Sequence, residues 1–171
     1  MTKDINNLLE KINRLKKEGK LDLSSDEDLS LAIMNLVSLE EHFFFTGAKT
    51  GKGKYYDCLN QIRMIRQELL KKLVRKTKGE VWCVSKHLLA ASMRLIEVGT
   101  KYQGKGEKKE AEDFFKKAWS LYSLFWGIKL GLVKMGELKK IDEREFIVGN
   151  KKINLQGKLE DLVKKLVDCC S

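Results

Sequence analysis

Two charged residues fall where helices of this chain should be apolar. At about 100° per residue, Glu40 lies within the arc of Leu29, Ile33, Leu36 and Phe44. Arg66 lies between the lines of Ile62, Leu69, Leu70 and Leu73. A carboxylate and a guanidinium on facing apolar stripes must pair, because an unpaired buried charge is costly. Tyr122, mid-face on another helical stretch, could add a hydroxyl. Glu40, Arg66 and Tyr122 therefore have two readings. One is an interior polar site for a small ligand or an enzyme. The other is an ion pair that fixes the register of two helices.

A second constellation is basic and aromatic. Lys49, Lys52 and Lys54 stand beside Tyr55 and Tyr56, and Lys101, Lys105, Lys108 and Lys109 flank Tyr102. Ammonium groups neutralise phosphates, and exposed rings stack on bases. Lysines outnumber arginines 28 to 6, which favours phosphate contact over base readout. The segment Gly47-Ala48-Lys49-Thr50-Gly51-Lys52-Gly53 looks superficially like a phosphate-binding loop. It is one residue short, Gly53 replaces the hydroxyl that would hold Mg²⁺, and a helix precedes it instead of a strand.

Other chemistry is poorly provided for. Neither His42 nor His87 belongs to a Glu-x-x-His pair, so the carboxylate-bridged di-metal site of helical bundles is not expected. No His-x-x-x-His, Gly-x-Ser-x-Gly or Gly-x-Gly-x-x-Gly occurs. Cys83 and His87 are one turn apart, but an interior thiol beside a surface imidazole lacks a third group to orient it. Cys58, Cys83, Cys169 and Cys170 show no Cys-x-x-Cys spacing. Neither a catalytic residue, a metal nor a cofactor is expected.

The elements that position these residues are helical. Ile5, Leu8, Leu9, Ile12 and Leu15 predict a helix over 3–18, stopped by Gly19. Ser24 and Glu27 read as a capping box opening a helix that runs to about Thr46, with Phe43 and Phe44 on its apolar side. Residues 47–53 read as a loop. Further helices are expected over about 54–77, 80–103 and 107–135, separated by Gly79 and by Gly104-Lys105-Gly106. The 107–135 pattern is apolar nearly all round, as in a central core helix or a dimer seam. Gly127 and Gly131 on it would admit another helix closely. Residues 145–155 alternate around Gly149-Asn150, the pattern of a β-hairpin, and a last helix is expected over 158–170. The fold class expected is all-α: an antiparallel bundle of about five helices over 1–135, with a small C-terminal hairpin and helix over 136–171 packed on it.

Residues 95–118 resemble a tetratricopeptide-type helical hairpin. Leu95, Val98, Gly99, Tyr102, Gly106, Ala111, Phe115 and Ala118 fall at that repeat's packing positions. The resemblance covers one unit, whereas arrays need three or more, so it implies an antiparallel helix pair with Gly99 and Ala111 at the crossing.

Charge and composition narrow the function. The chain of 171 residues carries a net charge of +10 and no proline. Residues 1–46 hold 6 basic and 9 acidic residues, net −3; residues 47–135 hold 20 and 8, net +12; residues 136–171 hold 8 and 7, net +1. The excess belongs to the segments bearing the lysine-rich loops. In an up-and-down bundle these two loops share one end. The absence of an apolar leader or of a long uninterrupted apolar stretch predicts a cytoplasmic protein without membrane contact. The function expected is non-enzymatic binding of RNA or another polyanion through the lysine-rich loops. The alternative is a protein-interaction or homodimerising module using 107–135 and the tetratricopeptide-like hairpin.

Overall fold

The computed structural model describes residues 10, 13, 14, 17, 18, 23–74, 79–133 and 155–166. Five helices are defined there: α1 (Leu23–Thr50), α2 (Lys54–Leu73), α3 (Glu80–Gly104), α4 (Lys108–Lys129) and α5 (Leu155–Leu166). The described residues are predominantly helical and contain no strand, as an all-α bundle requires. No helix among them is long and apolar enough to cross a membrane. Residues 145–154 of the hairpin expected over 145–155, and most of the helix expected over 3–18, lie outside the described residues. Leu155, expected to close the hairpin, is instead the first residue of α5.

Helix α1 packs against both α2 and α3, α3 against α4, and α4 against α5. Their shared core includes Ile33 and Met34 of α1, Leu70 of α2, Leu89 of α3, Phe125 and Trp126 of α4, and Val163 of α5. Residues Tyr122 to Ile128 of α4 are all buried, two full turns with no solvent face. This is why its sequence is apolar nearly all round. Buried serines keep the helices close: Ser30 of α1, Ser85 and Ser92 of α3, and Ser123 of α4.

Several boundaries differ from expectation, each for a physical reason. Helix α1 already includes Ser24, so Ser24 and Glu27 do not form its start. It also continues through Gly47 to Thr50 instead of stopping near Thr46. Gly47 does not end the helix. It makes room for Tyr56 of α2, whose Cε1 would stand 2.8 Å from a Cβ built there. Gly99 of α3 does the same for Phe115 of α4, whose Cε1 would stand 2.6 Å from an added Cβ. Both hairpins thus seat an aromatic ring of the second helix on a glycine of the first.

Helix α4 ends at Lys129 instead of Met135. Gly131 takes φ +71°, a left-handed conformation that favours glycine, and Leu132 N–H then donates to Gly127 C=O at 2.8 Å. Gly131 is therefore a turn residue and not a helix-contact residue. Gly127 does admit a neighbour: an added Cβ would meet Leu159 of α5 at 2.7 Å.

Gly99 provides a direct test of this packing. Valine there should cost about 1–3 kcal/mol by displacing the Phe115 ring. The loss should appear despite valine's somewhat better helix propensity. Alanine at Gly104, which faces open space, should cause no such loss. Urea midpoints of the two variants check the contrast.

Candidate functional site

Three contacts fix the relative placement of the ends. Asp26, in the first turn of α1, pairs with Lys129, in the last turn of α4, at 2.5 Å. Ser30 and Tyr122 share a hydrogen bond of 2.8 Å between the same two helices. Arg94 of α3 pairs with Glu41 of α1. Glu41 is nine residues from the end of α1 and Arg94 ten from the end of α3, both about 14–15 Å of helix. The α1–α2 and α3–α4 loops are therefore at the same end of the bundle.

That end carries Lys49, Lys52, Lys54, Lys101, Lys105, Lys108 and Lys109, all exposed. None has an ion-pair partner among the described residues. Elsewhere among those residues Lys72, Lys116, Lys117, Lys129 and Lys164 have one, while Lys17, Lys71 and Lys86 do not, so it is the gathering of seven such lysines that marks this end. Asp57, Glu107 and Glu110 are nearby in sequence and reduce the local excess without removing it. The tyrosines serve partly as platforms for the lysines. Lys54 Nζ lies 5.3 Å from the Tyr55 ring centroid, and Lys105 Nζ lies 5.3 Å from that of Tyr102. Tyr56 is exposed, whereas Tyr55 and Tyr102 are half-buried.

Glu40 and Arg66 meet directly. Arg66 Nε donates to Glu40 Oε1 at 2.7 Å, and its second terminal nitrogen donates to Oε2 at 3.3 Å. Arg63 Nε donates to Oε2 at 3.0 Å. Burial tends to raise the Glu40 pKa, but the two guanidinium groups outweigh it and hold the carboxyl below the ordinary carboxylate range. Both oxygens are thus occupied and the group stays ionised, an arrangement suited to registering α1 against α2 and poorly suited to proton transfer. Tyr122 does not join them. Its hydroxyl binds Ser30, ten residues or about 15 Å down α1 from Glu40.

Above Ser30 lies a groove that periodicity did not disclose. Residues 23, 26, 30, 34, 37, 41, 44 and 48 follow one strip of α1 at three- and four-residue steps. The lower part of the strip is buried, with Asp26 and Ser30 turned to α4. The upper part is open. A cavity of about 860 Å³ lies over it, with α1 as floor and Leu59 and Arg63 of α2 and Arg94 and Glu97 of α3 as walls. On the floor Phe44 and Phe45 are 49% and 57% exposed, edge to face with centroids 5.2 Å apart. Phe44, expected on the apolar side facing the core, is instead in this groove. The available signal was the run Phe43-Phe44-Phe45, which spreads aromatics over more of the helix than one buried face uses. His42 also lines the groove.

Cys83 is exposed and not interior, so it is not a small packing residue. No group of His, Cys, Asp and Glu among the described residues is placed to hold a metal ion. Comparison with protein-family models, with curated proteins and with solved structures finds no match to this chain.

Proposed function

We propose that this chain binds a polyanion, RNA foremost, through the lysine-rich end of its helical bundle and without catalysing a reaction. The observation that supports this reading is the convergence of seven exposed lysines from two loops, none with a carboxylate partner among the described residues. Unpaired ammonium groups gathered on one surface are free to displace the counterions of a phosphate backbone. Lysine supplies charge without the planar fork that reads base edges, so contact with phosphates dominates.

Reversal of charge tests the reading. The triple variant Lys52→Glu, Lys105→Glu, Lys108→Glu should bind RNA at least about tenfold more weakly at moderate salt. The slope of log affinity against log salt should fall by about 2, at roughly 0.7 for each single-strand phosphate no longer neutralised. Filter retention across a salt series measures both. Unchanged retention would overturn the proposal.

Self-association is the rival reading. It is favoured by Met64 and Ile65, adjacent exposed apolar residues on α2. A solution mass that stays at one chain across a wide concentration range removes it.

A further inference from the structure

We infer that the polyanion is single-stranded nucleic acid, whose unpaired bases enter the α1 groove and stack on Phe44 and Phe45 while its phosphates lie on the lysine-rich end. This inference rests on the polyanion reading above and adds to it the chemistry of the bases.

The groove is continuous with the lysine-rich end. Lys49 belongs to both, lining the cavity and standing one turn beyond Phe45 on α1. The α2 wall leads the same way: Arg63, Leu59 and Tyr56 follow at four- and three-residue steps, and Lys52 lies just beyond in the loop. The α3 wall does likewise, with Arg94 and Glu97 followed by Lys101. A chain of phosphates held along Lys52, Lys49 and Lys101 would therefore have its bases at the mouth of an aromatic floor.

The charges of the groove are compatible with such a ligand. Glu40 is held by both Arg63 and Arg66, so that cluster retains one net positive charge. Glu41 and Glu97 share Arg94, and that wall is net negative by one. The lining itself balances, Lys49, Arg63 and Arg94 against Glu40, Glu41 and Glu97; Arg66, buried behind Glu40, tips the sum to positive by one, and the positive side faces α2 and the lysine-rich end. Phosphates belong on that side, and the uncharged faces of bases belong on the phenylalanines.

The ligand must be single-stranded because the rings can reach only unstacked bases. In a duplex the base faces cover one another, and phenylalanine cannot stack on them. Aromatic side chains beside a cationic track are the shared device of single-strand binders, and they tolerate any sequence because every base has a π face. The groove is open to solvent, and its volume of about 860 Å³ leaves room for a base or two.

The test uses the full chain and three probes: a short single-stranded oligouridine, a duplex RNA of equal length, and inorganic polyphosphate, which has charge but no bases. The wild type should bind the single strand about tenfold or more tightly than the duplex. The variant Phe44→Ala, Phe45→Ala should lose about tenfold or more on the single strand and bind polyphosphate as before. Tryptophan at both positions should restore single-strand binding. Both side chains are about half exposed, so the variants should keep the wild-type circular dichroism with only a small fall in thermal midpoint.

Three results would overturn the inference. They are equal binding of duplex and single strand, wild-type binding of the single strand by the alanine variant, or a concentration-dependent dimer that the alanine substitutions abolish. The lysine reversals separate this from the underlying reading. They should weaken polyphosphate and oligouridine together. If they do so while the phenylalanine variant binds normally, only the base-stacking inference fails. If they change neither probe, the polyanion reading itself fails.

Discussion

Alanine at Glu40 should lower the stability of the fold by about 3 kcal/mol, because it strands a buried guanidinium. Arg66 is only 5% exposed, and Glu40 supplies both of the hydrogen bonds described for its head group. The reverse deletion should be milder. In Arg66→Met the stem is kept and Glu40 still accepts from Arg63, so a loss of about 1–2 kcal/mol is expected. Arg63→Ala should cost least, since Arg63 is half exposed and Arg66 remains. Urea unfolding of the three variants should give that order.

The same pair carries a pH dependence whose sign follows from the lowered pKa of Glu40. The unfolded carboxyl titrates near its ordinary value of about 4.3. Above that value its contribution to stability is fully present. As pH falls through the lower folded value, protons bind and the contribution is lost. The stability gap between the wild type and Glu40→Gln should therefore narrow as the solution is taken below about pH 4. A gap that stays constant down to about pH 2 would mean that the carboxylate charge is not what holds Arg66.

Alanine at Phe125 should cost about 3–5 kcal/mol, the usual range for an aromatic removed from a packed core. Phe125 has no exposed surface and its ring lies 5.6 Å from Trp126 and 6.2 Å from Tyr122, centroid to centroid. Helix α4 is surrounded at this point, so little nearby can collapse into the space left. At about 2–4 °C per kcal/mol for a chain of this size, the thermal midpoint should fall by roughly 10 °C. The near-ultraviolet signal of Trp126 should weaken with it. A loss below about 1 kcal/mol would show that α4 is not surrounded by packed neighbours at Phe125.

Glu40 was legible in the sequence and Arg94 was not, for a physical reason. Glu40 and Arg66 each interrupt an apolar stripe, and a charge on a stripe is visible to helical periodicity alone. Arg63 and Arg94 are on polar faces, where a charge is the ordinary occupant, so nothing marked them as groove walls. The lysines were visible because they cluster in two segments. That the two segments share one end required the up-and-down topology, now supported by the Asp26–Lys129 and Glu41–Arg94 pairs.

Glycine and phenylalanine were harder to read for a related reason. Gly47 and Gly131 have the same side chain and opposite uses: one stays in a helix to receive Tyr56, the other leaves a helix with φ +71°. A glycine permits both, and only its neighbours choose. Phe44 satisfies the apolar spacing of α1 as well as Ile33 does, yet Ile33 is buried and Phe44 is half exposed.

By itself, then, the sequence determined that the chain is helical, approximately where most of its helices lie, that α4 is apolar nearly all round, that Glu40 and Arg66 need partners, and that positive charge gathers in the middle of the chain. These follow from period, composition and the cost of burying charge, which act within a helix or along the chain. The tertiary structure alone decided that α1 lies between α2 and α3, that its strip is covered by α4 near Ser30 and open near Phe44, and that Tyr122 turns to Ser30 instead of Glu40. Those outcomes depend on which helices meet and over what length they stay together, and a helical repeat looks the same whether or not another helix covers it.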